Sequence, residues 1–263
     1  MNQVRNIRDA GPVPGGMSEE EWQVRCDLAA CYQLIDLYGM ADLMSTHISA
    51  RVPGGEDHFL LHRYGLFFEE VTASSLIKVD VDGNIVAGEG IPNSGGFVIH
   101  SAIHMYRRDL QCVLHTHTTA NNAIAMQKEG LLPLSQQAMM LRPFIGYHEY
   151  EGVADDLDER ARIANNIGPD GRILVLRHHG ALAVGQTVGE AFVWNYRFET
   201  ACQYQVAGLS GGRELGALSN EAIAHAGEQG RWLLGPGGPG ECGLEWPALL
   251  RKLERERGSS YRT

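Results

Sequence analysis

No apolar run in this chain approaches the ~20 residues needed to span a bilayer, and no signal-peptide-like apolar segment sits near the N-terminus. Basic runs and aromatic–basic stripes are also missing, which removes the usual footprint of nucleic-acid binding. The Cys-x-x-Cys spacing is absent, and the five cysteines (Cys26, Cys31, Cys112, Cys202 and Cys242) are odd in number. They read as free thiols in a reducing compartment. Cys26 and Cys31, in a helical stretch, read as small buried apolar residues. No Gly-x-Gly-x-x-Gly follows a strand, so the dinucleotide fingerprint is absent, and no internal repeat is found. These absences lead us to expect a cytoplasmic protein that acts on a small molecule, with neither membrane nor nucleic acid as partner.

What is present is an ordinary globular composition. Of 263 residues, 44% are hydrophobic and 21% charged, enough for a full core. The net charge of −10 gives an acidic surface that favours solubility. Residues 1–16 end in Gly-Pro-Val-Pro-Gly-Gly and read as a flexible arm, leaving 17–263 as one domain with a C-terminal helical extension.

Ser18 and Glu21 have capping-box spacing ahead of apolar residues recurring from Trp22 to Leu37, which predicts a helix. Residues 47–52 and 58–62 read as strands. Leu-Ile-Lys-Val-Asp-Val-Asp-Gly-Asn-Ile-Val-Ala-Gly predicts a hairpin turning at Asp82-Gly83. A helix is expected after Ser94, a strand over Gln-Cys-Val-Leu-His-Thr-His, and helices over 119–128 and Asp-Leu-Asp-Glu-Arg-Ala-Arg-Ile-Ala-Asn-Asn-Ile-Gly. Arg-Ile-Leu-Val-Leu-Arg-His-His-Gly-Ala-Leu-Ala-Val-Gly reads as two strands joined at His179-Gly180. A long helix follows, then shorter ones near 219–229 and 246–257, around the glycine–proline patch 235–240. Hairpin-linked strands flanked by helices predict an α/β protein with a mixed, mainly antiparallel sheet covered on both faces.

The eleven histidines supply the chemistry. On a strand, His115 and His117 point to one face with Thr116 opposed, so two imidazoles can converge on one ion. His178 and His179 are adjacent and point apart, so at most one joins them. Three imidazoles suit Zn, Fe, Mn or Co and leave coordination positions open. His100 and His104 share a helix face, but His-Ser-Ala-Ile-His lacks the glutamate of a zincin pair. They read as structural or as supports that orient other imidazoles.

Three segments carry a resemblance: 67–83, 91–117 with its His-Thr-His end, and 177–185 with the helix after it. Together they resemble the class II aldolase/adducin family over roughly 20–210. The resemblance implies a three-layer α/β/α sandwich, commonly a homotetramer, and a divalent ion (zinc first, with Mn, Fe or Co as alternatives) held by His115, His117 and His179. His178 stands where the family usually has Asn. The family's acid/base glutamate maps to Gly96, and Pro-Asn-Ser-Gly-Gly-Phe around it resembles the adducin branch. The phosphate-binding loops map to Thr46-His47-Ile48-Ser49 and His62-Arg63-Tyr64-Gly65.

Those departures disfavour a sugar phosphate, because a phosphate cradle uses small residues and backbone N–H groups. The expectation is a metal-dependent lyase, a decarboxylase or aldolase, acting on a small carboxylated or carbonyl substrate. His47 and Tyr147 are the candidate proton donors. Arg63 and Arg142 could grip a carboxylate, with Tyr64 and Ser94 lining the substrate site. The alternatives are a non-catalytic adducin-like binding module and a non-haem iron oxygenase on the same scaffold.

Overall fold

Eight short strands make one sheet: β1 (His47–Arg51), β2 (Phe59–His62), β3 (Leu76–Val79), β4 (Ile85–Ala87), β5 (Cys112–Thr116), β6 (Ile145–His148), β7 (Ile173–Leu176) and β8 (Gly180–Gly185). Their order is β4-β3-β2-β1-β5-β8-β7-β6. All pairings are antiparallel except β6 with β7. This computed structural model describes residues 13–54, 57–92, 94–152, 158–239 and 243–263, with backbone alone at 94–96.

Helices cover both faces, giving the expected three layers. α2 (Ser94–Tyr106) and α5 (Glu159–Ile167) lie on one face. The other face carries α1 (Glu19–Leu37), α3 (Thr119–Met126) and α6 (Val188–Ser210), with α4 (Gln136–Leu141), α7 (Asn220–Leu234) and α8 (Glu245–Arg257) packed beside them. With both faces covered, β2, β5, β7 and β8 are buried along their whole length, as their unbroken apolar runs require. Alternation divides the core. Ile48, Ala50, Leu60, Cys112 and Leu114 face the α1 side. Val113, Leu174, Leu182 and Val184 face α2 and α5.

Tyr32 ties α1 to the sheet. Its hydroxyl donates to the Ile48 carbonyl and accepts from the Ile48 N–H at 2.8 Å. His62 Nδ1 lies 2.9 Å from the same oxygen. His62 is therefore a core residue on the α1 face, not part of a loop that could cradle a ligand.

Several elements differ from expectation. β6 has no alternation to announce it, and its parallel pairing needs the crossover that α5 supplies. Gly146 within it lets α5 approach, since a Cβ there would sit 2.0 Å from the Asn166 carbonyl oxygen. α4 was also not expected, and α7 runs on to Leu234. The capping box forms by half. Ser18 accepts from the Glu21 N–H at 3.1 Å, but the Glu21 carboxylate turns to Arg25 and Lys78, at 3.0 and 2.6 Å. At the end of the expected arm, Val13 packs against Trp22, Cys26 and Ala73. Residues 1–12, Asp156, Leu157, Gly240 and Cys242 lie outside the described residues, while the other four cysteines are buried. Among the described residues no helix is long and apolar enough to cross a membrane.

The Glu21 cluster gives a pH-dependent test. Burial raises the Glu21 carboxyl, but hydrogen bonds from Lys78 and Arg25 outweigh it and hold the group below its ordinary value. A depressed carboxyl stabilises the fold at neutral pH. That contribution is lost as pH falls from the ordinary Glu range, about 4.3, through the lower folded value. Glu21→Gln should cost about 1.5–3 kcal/mol at neutral pH and flatten the acid limb of a stability-versus-pH curve. Chemical denaturation at several pH values checks both.

Candidate metal centre

The site grows from the end of β5. His115 is buried on the α2 face, flanked in register by His47 of β1 and Leu182 of β8. Thr116 points the other way. Its hydroxyl donates to Asn195 Oδ1 at 3.1 Å and accepts from Asn121 Nδ2 at 2.9 Å. Thr118 donates to Glu199 and caps α3. The chain is thus clamped from the α6 side on both sides of His117, which lies just beyond the strand.

The third imidazole comes from the β7–β8 turn. The Arg177 N–H donates to His148 O at 2.9 Å and the His179 N–H to Leu176 O at 3.1 Å. His178 between them is exposed with φ +58°, a left-handed conformation that Asn, Asp and His adopt more readily than other side chains. Gly180 is required by close approach. A Cβ there would sit 2.6 Å from Thr116 O and 3.0 Å from His117 Cδ2.

The structure brings His115, His117 and His179 together, each offering a ring nitrogen within 4.8 Å of the others. His115 Nδ1 lies 3.0 Å from Ala181 O, and His117 Nδ1 lies 3.1 Å from Asp42 Oδ2. Both partners accept, so both Nδ1 atoms carry a proton, and the two Nε2 atoms approach to 2.7 Å. A second proton on His115 is opposed by burial, followed by the influence of His47, His117 and His179, which together hold it well below the ordinary value. Burial and then His117 lower His179 to about 4. Three imidazoles whose ring nitrogens converge in this way fit a divalent cation.

A second cluster adjoins the first. The His47 ring lies 5.1 Å from that of His115, centroid to centroid. His47 Nδ1 is 2.7 Å from His100 Nε2, His100 Nδ1 is 2.6 Å from Ser49 Oγ, and Ser49 Oγ is 2.7 Å from His104 Nε2. All four residues are buried. They share a cavity of about 20 Å³ with Phe59 and Phe97.

The other expected residues are placed elsewhere. Tyr147 is paired in register with Val175, and both belong to the α6-side cluster, so alternation puts it on the opposite face from His115. Its hydroxyl accepts from the Leu131 N–H at 3.1 Å, and Arg177 lies over its ring. Tyr147 is a packing residue here. Arg142 is exposed at the end of α4, again on the α6 side. Arg63 and Tyr64 are exposed after β2, next to Ile91 and Pro92. Ser94 begins α2, but its side chain lies outside the described residues, as does any side-chain environment at Gly96. Sequence reasoning missed Asp42, whose loop has no motif. It also missed Ser49, although a residue two beyond His47 on a strand shares its face.

Comparison with known proteins identifies the family. A profile of the class II aldolase and adducin N-terminal domain matches residues 26–206. A Caulobacter vibrioides protein that bears a provisional class 2 aldolase name is 47% identical over 245 residues, 92% of this chain and 93% of its own. Rat alpha-adducin is 38% identical over 91% of this chain, which spans only 34% of that longer protein. The crystal structure of an aldolase II superfamily protein from Pseudomonas syringae superposes with TM-score 0.88 at 46% identity, covering 94% of this chain and 98% of that one. L-fuculose 1-phosphate aldolase from Glaciozyma antarctica shares the fold, with TM-score 0.78 at 24% identity over 97% and 98% of the two chains.

The Asp42 contact yields a prediction. A carboxylate on the distal nitrogen of a ligating imidazole fixes its tautomer and raises its basicity. Asp42→Ala should weaken zinc binding by about 10- to 100-fold with an unchanged melting temperature for the metal-free protein. Competition against a chromophoric chelator measures it, and unchanged affinity would remove Asp42 from the site.

Proposed function

The chain belongs to the class II aldolase and adducin family, and within it we propose a divalent-metal-dependent carbon–carbon lyase for a small carboxylated or carbonyl substrate other than a sugar phosphate. The observation that carries this reading is the convergence of three imidazoles, two of them held from behind at Nδ1 by the Ala181 carbonyl and the Asp42 carboxylate. His115 and His117 would hold the ion through Nε2, and His179 through one ring nitrogen. Zinc is the first candidate; Mn, Fe and Co suit the same donors. Bound there, the ion supplies Lewis-acid stabilisation of the oxygen next to the cleaved bond.

The remaining work falls to the chain's own groups. The position of the family's acid/base glutamate holds Gly96, so no carboxylate there can abstract a proton. Loss of CO2 begins without proton abstraction, so decarboxylation tolerates that change better than retro-aldol cleavage. What it needs afterwards is a proton on carbon. His47, buried beside His115, would give it from Nε2, since Nδ1 is engaged by His100, and a proton from water would then restore the ring. Arg63, exposed beside the segment that leads into α2, is the candidate for a two-pronged grip on a substrate carboxylate.

A second reading has a specific observation behind it. The 38% identity to alpha-adducin and the glycine at position 96 favour a binding module without catalysis.

Elemental analysis of the wild type and of His115→Ala, His117→Ala and His179→Ala tests the ligand set. We expect stoichiometric metal in the wild type and its loss in each variant; retention in all three refutes the assignment. A panel of 2-keto acids, carboxylated aromatics and fuculose- or ribulose-type phosphates tests the chemistry. Turnover of a carboxylated compound, slowed on the order of 10²–10⁴-fold by His47→Ala with metal retained, is expected. Cleavage of the phosphates alone would overturn the substrate class, and inactivity of metal-loaded protein on all of them would favour the binding module.

We also propose a homotetramer. Ile91, Trp232 and Leu244 are large apolar side chains at 70%, 70% and 86% exposure in the single chain, surface that association could cover. Light scattering should report about four times the 28.9 kDa chain mass; a stable monomer at micromolar concentration excludes it.

A further inference from the structure

The line His47–His100–Ser49–His104 is more than the lyase reading requires. That reading needs a donor at His47, but it does not say which ring nitrogen carries the proton. The chain's own hydrogen bonds decide it. All three imidazoles are buried, and burial disfavours the charged form of each ring. Each ring therefore carries one N–H, and Ser49 adds one O–H.

Three contacts join the four groups: Nδ1 of His47 with Nε2 of His100, Nδ1 of His100 with Ser49 Oγ, and Ser49 Oγ with Nε2 of His104. Three of the four protons occupy these contacts. The fourth must sit at one end, on His47 Nε2 or on His104 Nδ1, and each choice fixes the direction of every bond between.

Two observations at the far end make the choice. His104 Nδ1 is buried with no hydrogen-bond partner among the described residues. A buried N–H without an acceptor is rarer in folded proteins than an acceptor left unused, so a bare lone pair is the better occupant there. The Arg51 guanidinium also lies near this ring. It donates to the His104 carbonyl oxygen and acts on the imidazole as a nearby positive charge. A cation beside the ring favours a lone pair over another N–H.

We propose that Ser49, His100 and His104 are positioning residues that lock His47 in its Nε2–H tautomer, so that His47 presents a proton donor to the pocket of the three converging histidines. In this arrangement His104 Nε2–H donates to Ser49, Ser49 O–H donates to His100 Nδ1, and His100 Nε2–H donates to His47 Nδ1. All three rings are Nε2–H tautomers. This contrasts with His115 and His117, whose Nδ1 partners make them Nδ1–H. Neighbouring imidazoles on one face of the sheet would thus be sorted into ligands and donor by what lies behind them. The use of that donor rests on the lyase reading; the tautomer itself does not.

Long-range proton–nitrogen correlation spectra of histidine-¹⁵N-labelled protein at neutral pH separate the two tautomers, with neither turnover nor metal required. In the metal-free wild type we expect His47, His100 and His104 as Nε2–H, and His115 and His117 as Nδ1–H. Ser49→Ala should cut the line and give His100 and His47 a measurable share of the Nδ1–H form. Ser49→Thr, which keeps the hydroxyl, should restore the single tautomer. Finding His47 as Nδ1–H in the wild type overturns the proposal whether or not Ser49→Ala folds. An unchanged His47 tautomer in a folded Ser49→Ala protein removes Ser49 and His104 from the mechanism. Failure of these spectra leaves the lyase reading standing, and failure of the substrate panel leaves the tautomers as predicted.

Discussion

The antiparallel ladder of β1, β5 and β8 carries the site, because its register puts His47 opposite His115 and His115 opposite Leu182. Side chains on a strand alternate, so a slip of one residue would send His115 to the α6 face and bring Thr116 to the α2 face. The candidate metal ligands and the hydrogen bonds behind them would be lost together. Apolar alternation holds the register. Ile48 and Leu114 belong to the cluster under α1, while Val113 and Leu182 belong to the cluster under α2 and α5. Neither set can change faces without exposing core.

On that frame, polar groups are placed where burial suppresses charge. The imidazoles of His47, His62, His100, His104, His115 and His179 are all held neutral chiefly by burial. What distinguishes them is their hydrogen-bond partners. A backbone carbonyl stands behind His115 and a carboxylate behind His117, another imidazole behind His47, and a core tyrosine beside His62. One type of side chain is thus set in four different hydrogen-bonding environments by one contact each.

Much of this was legible in the sequence. The His-Thr-His spacing gave the shared face, Asp82-Gly83 the hairpin, and the β7–β8 segment the third imidazole's turn. The illegible parts have physical reasons. β6 is a four-residue strand defined by a parallel partner across a helix, and local pattern carries no such information. Tyr147 could not be assigned to a face without that register, and it packs away from the histidines. Asp42 reaches His117 across 75 positions from a loop with no motif. His100 and His104 were legible as a helical pair, but their partner Ser49 lies on another element, so the line through them exists only in three dimensions. His178 is the converse case. Its departure from the usual Asn becomes intelligible once the backbone there is seen to be left-handed.

The two halves of the site come from separate stretches of chain. The candidate ligands arise from β5, the residue just beyond it and the β7–β8 turn; the hydrogen-bonded line behind His47 arises from β1 and α2. They meet where the His47 and His115 rings approach, and no residue belongs to both. On the proposed reading, substitutions in 47–49 or 100–104 would alter what the centre does to a substrate without removing the side chains that hold the ion, and the converse also holds. A scaffold wired in this way would trade one reaction for another, or for none, by small mutational steps, each of which leaves half of the site's side chains in place.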